Sequence, residues 1–423
     1  MFKVHDVRGR FPVLPSHVHG YVVELDTMCL VVDATAAISS AKQLRQTAEA
    51  TGKPIRAVLM THGHPDHFTG LVAFADLPIM ASAGVLAFAR AEDASKWESG
   101  KMYLGDDFPD ARVFPNQLVS DGQTFDFDGV TFTFNDLGPG ESDSDSMWWC
   151  EVDGVRHAFI GDVISNHVHA FFGDGHALHW LTIIDRLERE CDETTQFYIG
   201  HGESPASYAM LSWQRGYINT FLKSVKKLDP AAPFTEANAH QILADMSSYL
   251  NTDELLFLLG YELEKGVPRV QQALGELKLR ESVNQQLTET EIQALAREWF
   301  EGLNDHRPLV EMLPLLASDG LEMVFPEATL TTMVEFERWY QGVTRTFFDQ
   351  DHIITALTSH IEGAKAQVDV TVIWKASQWI APAATSTRTA FEAKQSWTVT
   401  RSPQTGKAVI SQYTVHGLEP VVN

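Results

Sequence analysis

The stretch VLMTHGHPDHFTG, residues 58–70, sets His62, His64, Asp66 and His67 within six positions directly after an apolar run. Neutral imidazole nitrogen and carboxylate oxygen are both ligands for a borderline-soft dication such as zinc. In His62-Gly63-His64 the two rings can face one ion from a single turn, with Gly63 leaving room between them. Asp66 and His67 follow Pro65 at the start of a helix, so their side chains can point towards a second ion. A lone His-X-His is more often an ordinary surface pair. The complete HxHxDH between an apolar strand and a helix reverses that preference.

The elements that must hold this cluster are legible around it. IRAVLM, residues 55–60, reads as a buried strand feeding the histidines, and SAKQLRQTAEATG before it as a helix ending at Gly52. GYVVEL and MCLVVDA look like paired strands. Farther on, GVTFTFNDLG and MWWCEVDGVRHAFIGD have strand character, with a hairpin turn at Asp153-Gly154 and an end at Asp162. After YIGHGES the periodicity becomes helical from Ser207 to Leu287, with breaks at Gly260 and at Gly266 to Pro268. A further unit opens with a capping-box pattern, Thr288 and Glu291. Its first helix carries an apolar stripe of Ile292, Leu295, Trp299 and Leu303, joined by Ala296 and Phe300. AQVDVTVIWK then alternates as a half-buried strand, followed by AFEAKQSWTVT and AVISQYTVH, so one or two helices precede a curved antiparallel sheet.

Composition bounds the classes. A chain of 423 residues, 44% hydrophobic and 10% aromatic, is ample for two or three domains with their own cores. A formal net charge of -24 without a basic patch argues against nucleic acid as a partner. The start, MFKVHDVRGRFPVLPSH, has no signal-peptide pattern and no long apolar run follows, so a soluble, cytoplasmic protein that does not use a membrane is expected. Cys29, Cys150 and Cys191 are widely spaced and suit reduced thiols better than disulfides.

With HxHxDH in place, the chain resembles the metallo-β-lactamase fold superfamily over about residues 10 to 205. HVHGYVVELDTMCLVVDATAA is similar to that family's first hairpin, with Asp33 ending the second strand; FIGDVISN matches the strand presenting a bridging aspartate, Asp162; YIGHGES matches the final histidine loop, His201. The resemblance implies a four-layer αββα sandwich, with His62 and His64 on one metal, Asp66, His67 and His201 on the other, and Asp162 bridging them. Where the family usually supplies a histidine, this chain has LGPGESDSDSMWW. That stretch resembles the Pro-Gly-Thr-Glu segment of alkylsulfatase-like members, which makes Glu141 the preferred third ligand of the first metal. The alternative is a mononuclear or weakly occupied first position, with Glu141, Asp143 and Asp145 forming a solvated acidic turn.

The resemblance further implies two divalent metal ions, zinc first with iron or manganese as alternatives, a shared water deprotonated near neutral pH, and metal-assisted hydrolysis of a small ester, lactone or related bond. Asp66 is the expected catalytic group, binding metal while orienting the nucleophile or delivering a proton. Competing readings are sulfate-ester hydrolysis, non-haem iron oxygen or persulfide chemistry, and a ligand-binding protein with a structural metal site. NHVHAFFGDGHALHW offers His167, His169, His176 and His179 among Phe171, Phe172 and Trp180 as a substrate wall. Each of these histidines is expected to be surface or supporting, and Trp148 and Trp149 core.

Residues 288–423 resemble, by element order alone, the SnoaL-like branch of the nuclear transport factor 2-like fold, an α+β cone with a curved sheet. The expected division is a hydrolase domain at 1–206, a helical connector at 207–287 and this unit at 288–423. Its expected role is accessory, shaping substrate or forming a homodimer, with Trp374, Trp397 and Tyr413 available to cover an apolar tail or a second copy. Asp349, Asp351 and His352 are explained equally well by a solvated loop.

Overall fold

Apolar side chains on both faces of the early strands require cover on both sides, and the structure supplies it with sheet on one face and helices on the other. The computed structural model describes residues 1–11 and 16–421. Their contacts divide into two units, Met1–Leu274 and Gly275–Asn423.

The first unit holds two six-stranded sheets. In chain order, one comprises β1 (Lys3–Arg10), β2 (His17–Glu24), β3 (Cys29–Val32), β4 (Ile55–Leu59), β5 (Ile79–Ala81) and β6 (Gln117–Leu118), antiparallel as far as β3 and parallel beyond it. The other comprises β7 (Thr124–Phe127), β8 (Val130–Gly138), β9 (Asp145–Val152), β10 (Val155–Gly161), β11 (Gln196–Ile199) and β12 (Ala206–Ser207), antiparallel except for the β10–β11 pair. Tyr21, Leu30 and Leu59 from the first sheet share one core with Phe132, Trp148 and Phe159 from the second, so the two sheets pack face to face.

Helices cover the outer faces. α1 (Ile38–Glu49), the one-turn α2 (Pro65–Phe68) and α3 (Ala83–Leu104) lie against the first sheet, where Leu44, Phe68 and Val85 join Val31 and Val58. α4 (Ala177–Glu190), α5 (Ala209–Val225), α6 (Glu236–Tyr249) and α7 (Leu256–Gly260) serve the second, and α8 (Leu263–Asn284) follows in the chain. Ile242 and Met246 of α6, Leu259 of α7 and Val267 and Val270 of α8 sit in one core with Trp180 of α4 and Phe221 of α5. The segment after residue 207 therefore builds the first unit's core. No described helix is long and apolar enough to cross a membrane.

The second unit contains α9 (Glu289–Asn304), α10 (Leu309–Met312), β13 (Glu322–Val324), β14 (Thr329–Leu330), α11 (Met333–Thr346), β15 (Phe347–Glu362), β16 (Lys365–Gln378), β17 (Thr387–Arg401) and β18 (Ala408–Pro420). The strands form a six-stranded sheet in the order β14-β13-β18-β17-β16-β15. The capping box is formed: Thr288 N donates to Glu291 Oε2 at 2.9 Å and Glu291 N to Thr288 Oγ1 at 3.3 Å. Val368, Val370 and Val372 alternate inward on β16, as their spacing predicts. Trp397 and Tyr413, expected to be available for a second copy, are instead core residues packed with Trp299 and Phe300. Asp349, Asp351 and His352 lie in the strand β15 rather than in a loop.

Candidate metal centre

The HxHxDH cluster is placed by the end of one strand, a close backbone approach and the start of a short helix. β4 ends at Leu59, and the chain turns through Met60 and Thr61 into His62. Gly63 sits against the α3 backbone: a Cβ there would lie 2.6 Å from Ala89 N and 2.9 Å from Val85 O. That close approach, rather than room between imidazoles, is what requires glycine. Pro65 opens α2, whose single turn presents Asp66 and His67. Glu141 lies in the β8–β9 turn, which is tied by Ser142, its N–H and hydroxyl both donating to Asp145. Asp162 follows β10, and His201 follows β11 through Gly200, where a Cβ would fall 1.8 Å from Asp162 Oδ1.

All seven residues singled out in the sequence converge. One ligand atom each from His62, His64, Glu141 and Asp162 lie within 4.8 Å of one another, and so do those from Asp66, His67, Asp162 and His201. Asp162 belongs to both sets. His64 Nδ1 approaches Glu141 Oε2 at 3.0 Å, while His62 Nε2 lies 3.8 Å from both Glu141 Oε2 and Asp162 Oδ2. In the second set Asp162 Oδ2 is 3.4 Å from His67 Nε2 and from His201 Nε2, and Asp66 Oδ2 is 3.0 Å from His201 Nε2. Glu141 and Asp145 are buried, so the alternative of a solvated acidic turn holds for Asp143 alone.

The donor set fits cations. His62 Nε2, His67 Nε2, Glu141 Oε2 and Asp162 Oδ1 are buried without a hydrogen-bond partner, and leaving such atoms unpaired costs about 1–3 kcal/mol each. Their short approaches lack hydrogen-bond geometry, whereas convergent imidazole and carboxylate lone pairs suit a divalent ion. Burial alone would raise the Asp162 pKa, but the His201 and His67 imidazoles hold the carboxyl well below its usual range. Burial pushes Glu141 up to about 7 against the opposing pull of His64.

Outer partners fix the ligand rings. Asp33 accepts from Thr61 N at 2.9 Å, Thr61 Oγ1 at 2.7 Å and His67 Nδ1 at 2.9 Å, which turns His67 Nε2 towards Asp162. It does so with φ of 54°, a left-handed backbone that a non-glycine residue adopts only where its surroundings enforce it. His201 Nδ1 donates to the His17 carbonyl at 2.8 Å, and His64 Nε2 pairs with Asp174 Oδ2 at 3.1 Å. Sequence reasoning placed Asp33 only as a strand end and missed Asp174. No local pattern marks an aspartate 110 positions from its histidine.

A cavity of about 120 Å³ opens beside the ligands. Its wall is aromatic, with Tyr103 and Phe108 from α3 and beyond, Phe171, and Phe257 and Tyr261 from the α7 region. Lys96 also lines it, 2.5 Å from Glu92 and 3.6 Å from Glu262, and lies over the rings of Phe171 and Tyr261. The histidine-rich wall does not form. His169 is buried against the Tyr217 hydroxyl, His176 pairs with Asp143, His179 with the Pro139 carbonyl, and His167 packs on Trp213. Of that segment, Phe171 faces the cavity.

Residues 13–206 match the family model described as the Metallo-beta-lactamase superfamily. This segment is similar to a metallo-beta-lactamase superfamily domain. Among solved structures, the chain is similar to a beta-lactamase domain protein from Burkholderia ambifaria, at 16% identity and a TM-score of 0.47, covering 68% of this chain and 89% of that one. It is also similar to a metallo-beta-lactamase family protein from Thermus thermophilus, at 16% identity and TM-score 0.47, over 67% and 96% of the two chains. A stereoselective inverting sec-alkylsulfatase from Pseudomonas sp. is similar at 19% identity and TM-score 0.45, over 64% of this chain and 49% of that one. No curated protein compared with the chain matches it. The matched segment carries all seven converging residues.

Proposed function

We propose that the chain is a metal-dependent hydrolase acting on a small, largely apolar ester, lactone or related bond. The observation that carries this reading is the pair of ligand sets sharing Asp162 at the mouth of an aromatic cavity. His62, His64 and Glu141 would hold one divalent cation, Asp66, His67 and His201 a second, and Asp162 both. Zinc suits the donors best, and iron or manganese accept the same set. When bound, such ions supply Lewis acidity and lower the pKa of water towards neutrality.

The chain's own residues supply the rest. Asp66 lines the cavity and lies in reach of His201, so its carboxylate is placed to orient a reacting water or to pass a proton to the leaving group. The rings of Tyr103, Phe108, Phe171 and Tyr261 exclude water and hold an apolar substituent. Lys96 is already opposed by Glu92 and Glu262, which favours a neutral substrate over an anionic one. Sulfate-ester hydrolysis is a second reading that Glu141 favours, since an oxygen donor is buried among the ligands there. The unit after Gly275 is assigned no part in bond breaking.

The test is a panel of lactone, aryl ester and alkyl sulfate substrates on chelated and zinc-reloaded protein. Turnover of a neutral ester or lactone that chelation abolishes and zinc restores is expected. Turnover indifferent to chelation, or retained at near-normal rate in Asp162→Asn, would contradict the proposal.

A further inference from the structure

At about 120 Å³ the cavity beside the ligands is smaller than the roughly 150 Å³ that accommodates benzene, so a substrate with an aryl or longer substituent requires part of the wall to move. One part of that wall, residues 255–262, is held lightly. It lies beyond the matched residues 13–206 and brings Phe257, Leu258 and Tyr261 to the cavity. On its other side Phe257, Gly260 and Tyr261 border an open cleft against Leu243 of α6. Within α7, Leu259 alone is buried.

The chain on either side of this segment is fixed. Upstream, His169 N donates to the Glu254 carbonyl at 3.1 Å. Downstream, Lys265 N and Gly266 N donate to the Glu262 carbonyl at 2.9 and 3.1 Å as α8 begins, and Gly266 lies too close to the Phe172 carbonyl to admit a Cβ. Leu255 and Glu262, at the two ends, both have φ of 59°, a left-handed backbone that non-glycine residues keep only where their surroundings enforce it. Hinges are short stretches at the ends of elements that absorb changes of this kind.

Side chains of α3 close the segment down. Tyr103 and Phe257, both exposed, meet edge to face at 6.2 Å. Lys96 lies over the Tyr261 ring at 5.6 Å and pairs with Glu262 Oε2 at 3.6 Å, while Glu92, one turn earlier on α3, holds the same Nζ at 2.5 Å. Burial alone would lower the pKa of the Lys96 ammonium, but Glu92 and Glu262 hold it above its usual value. The Lys96–Glu262 pair is mostly shielded from solvent, so salt screens it little.

We propose that residues 255–262 are a lid on this cavity, hinged at Leu255 and Glu262, and that Lys96 is the positioning residue that holds the lid shut through Glu262. The proposal rests on the hydrolase reading only in taking the cavity as the substrate site.

Amide hydrogen exchange of the full chain, read by mass spectrometry, follows the lid without substrate or metal. Lys96→Gln and Glu262→Gln each break the pair and keep a polar side chain. In both, amides of residues 256–261 should exchange about tenfold faster than in the wild type, the order for losing one charged contact, while those of α5 stay unchanged. Glu92→Gln, which removes the partner of Lys96 on its own helix, should leave exchange in the lid unchanged. Access to the cavity is read by placing a thiol at a buried position of its wall, Leu104→Cys, and following its labelling by N-ethylmaleimide, which Glu262→Gln should quicken by the same factor. Exchange equal to wild type in both pair variants, acceleration spread evenly through α5, or labelling that Glu262→Gln does not quicken would overturn the assignment. Should Lys96→Gln fail to fold, Glu262→Gln decides alone. A lid that opens as expected on a chain that turns over no ester would uphold this assignment and contradict the hydrolase reading alone.

Discussion

Asp33 ties three donors to one carboxylate and in doing so sets the direction of His67. The Asn variant keeps the size of the side chain but replaces an anionic acceptor with a neutral amide, which weakens its hold on His67 Nδ1. Asp33→Asn should therefore lower affinity for one of two bound metals by about 10- to 100-fold while the other changes little, the usual effect of removing an outer partner of a ligand histidine. Competition against a chromophoric chelator measures this, and two unchanged affinities would deny Asp33 its positioning role. The residues that converge were legible in the sequence because residue type and spacing are local in HxHxDH, and Asp162 and His201 each follow a recognisable apolar strand. The outer partners were not, because Asp174 reaches His64, and Asp33 reaches His67, only once the sheets have formed.

At the scale of elements, strands and caps follow from short-range pattern, and the cavity wall does not. The hairpin at Asp153-Gly154 forms between β9 and β10, with both residues at positive φ as that turn demands. The wall depends instead on where α3 and α7 come to lie. Histidines and aromatics after Asp162 had the composition of a substrate wall, yet of them Phe171 alone lines the cavity, and Phe257 and Tyr261, far along the chain, join it there. Phe257→Ala with Tyr261→Ala should raise KM about tenfold for esters with long or aryl substituents and little for short ones, the order expected for losing about 1.4 kcal/mol of apolar contact, with kcat nearly kept. A fall in kcat alone, equal for all substrates, would place these rings outside substrate binding.

At the scale of the molecule, helical periodicity from Ser207 onward revealed helices but not which core they feed. A chain ended near Pro230 would strip Ile242, Met246, Leu259, Val267 and Val270 from the core that holds Trp180 and Phe221. It should be insoluble or unfold without a cooperative transition, whereas one ended at Leu274 should melt cooperatively and keep its metals, as calorimetry and elemental analysis would show. A stable, metal-loaded 1–230 fragment would contradict that division. The central claim is that two cations share Asp162, and elemental analysis of zinc-reconstituted full-length protein beside its Glu141→Ala variant addresses it most directly. The expected result is close to two zinc ions per wild-type chain and close to one in Glu141→Ala; one ion or fewer in the wild type, with no loss when Glu141 is removed, would contradict a two-metal centre.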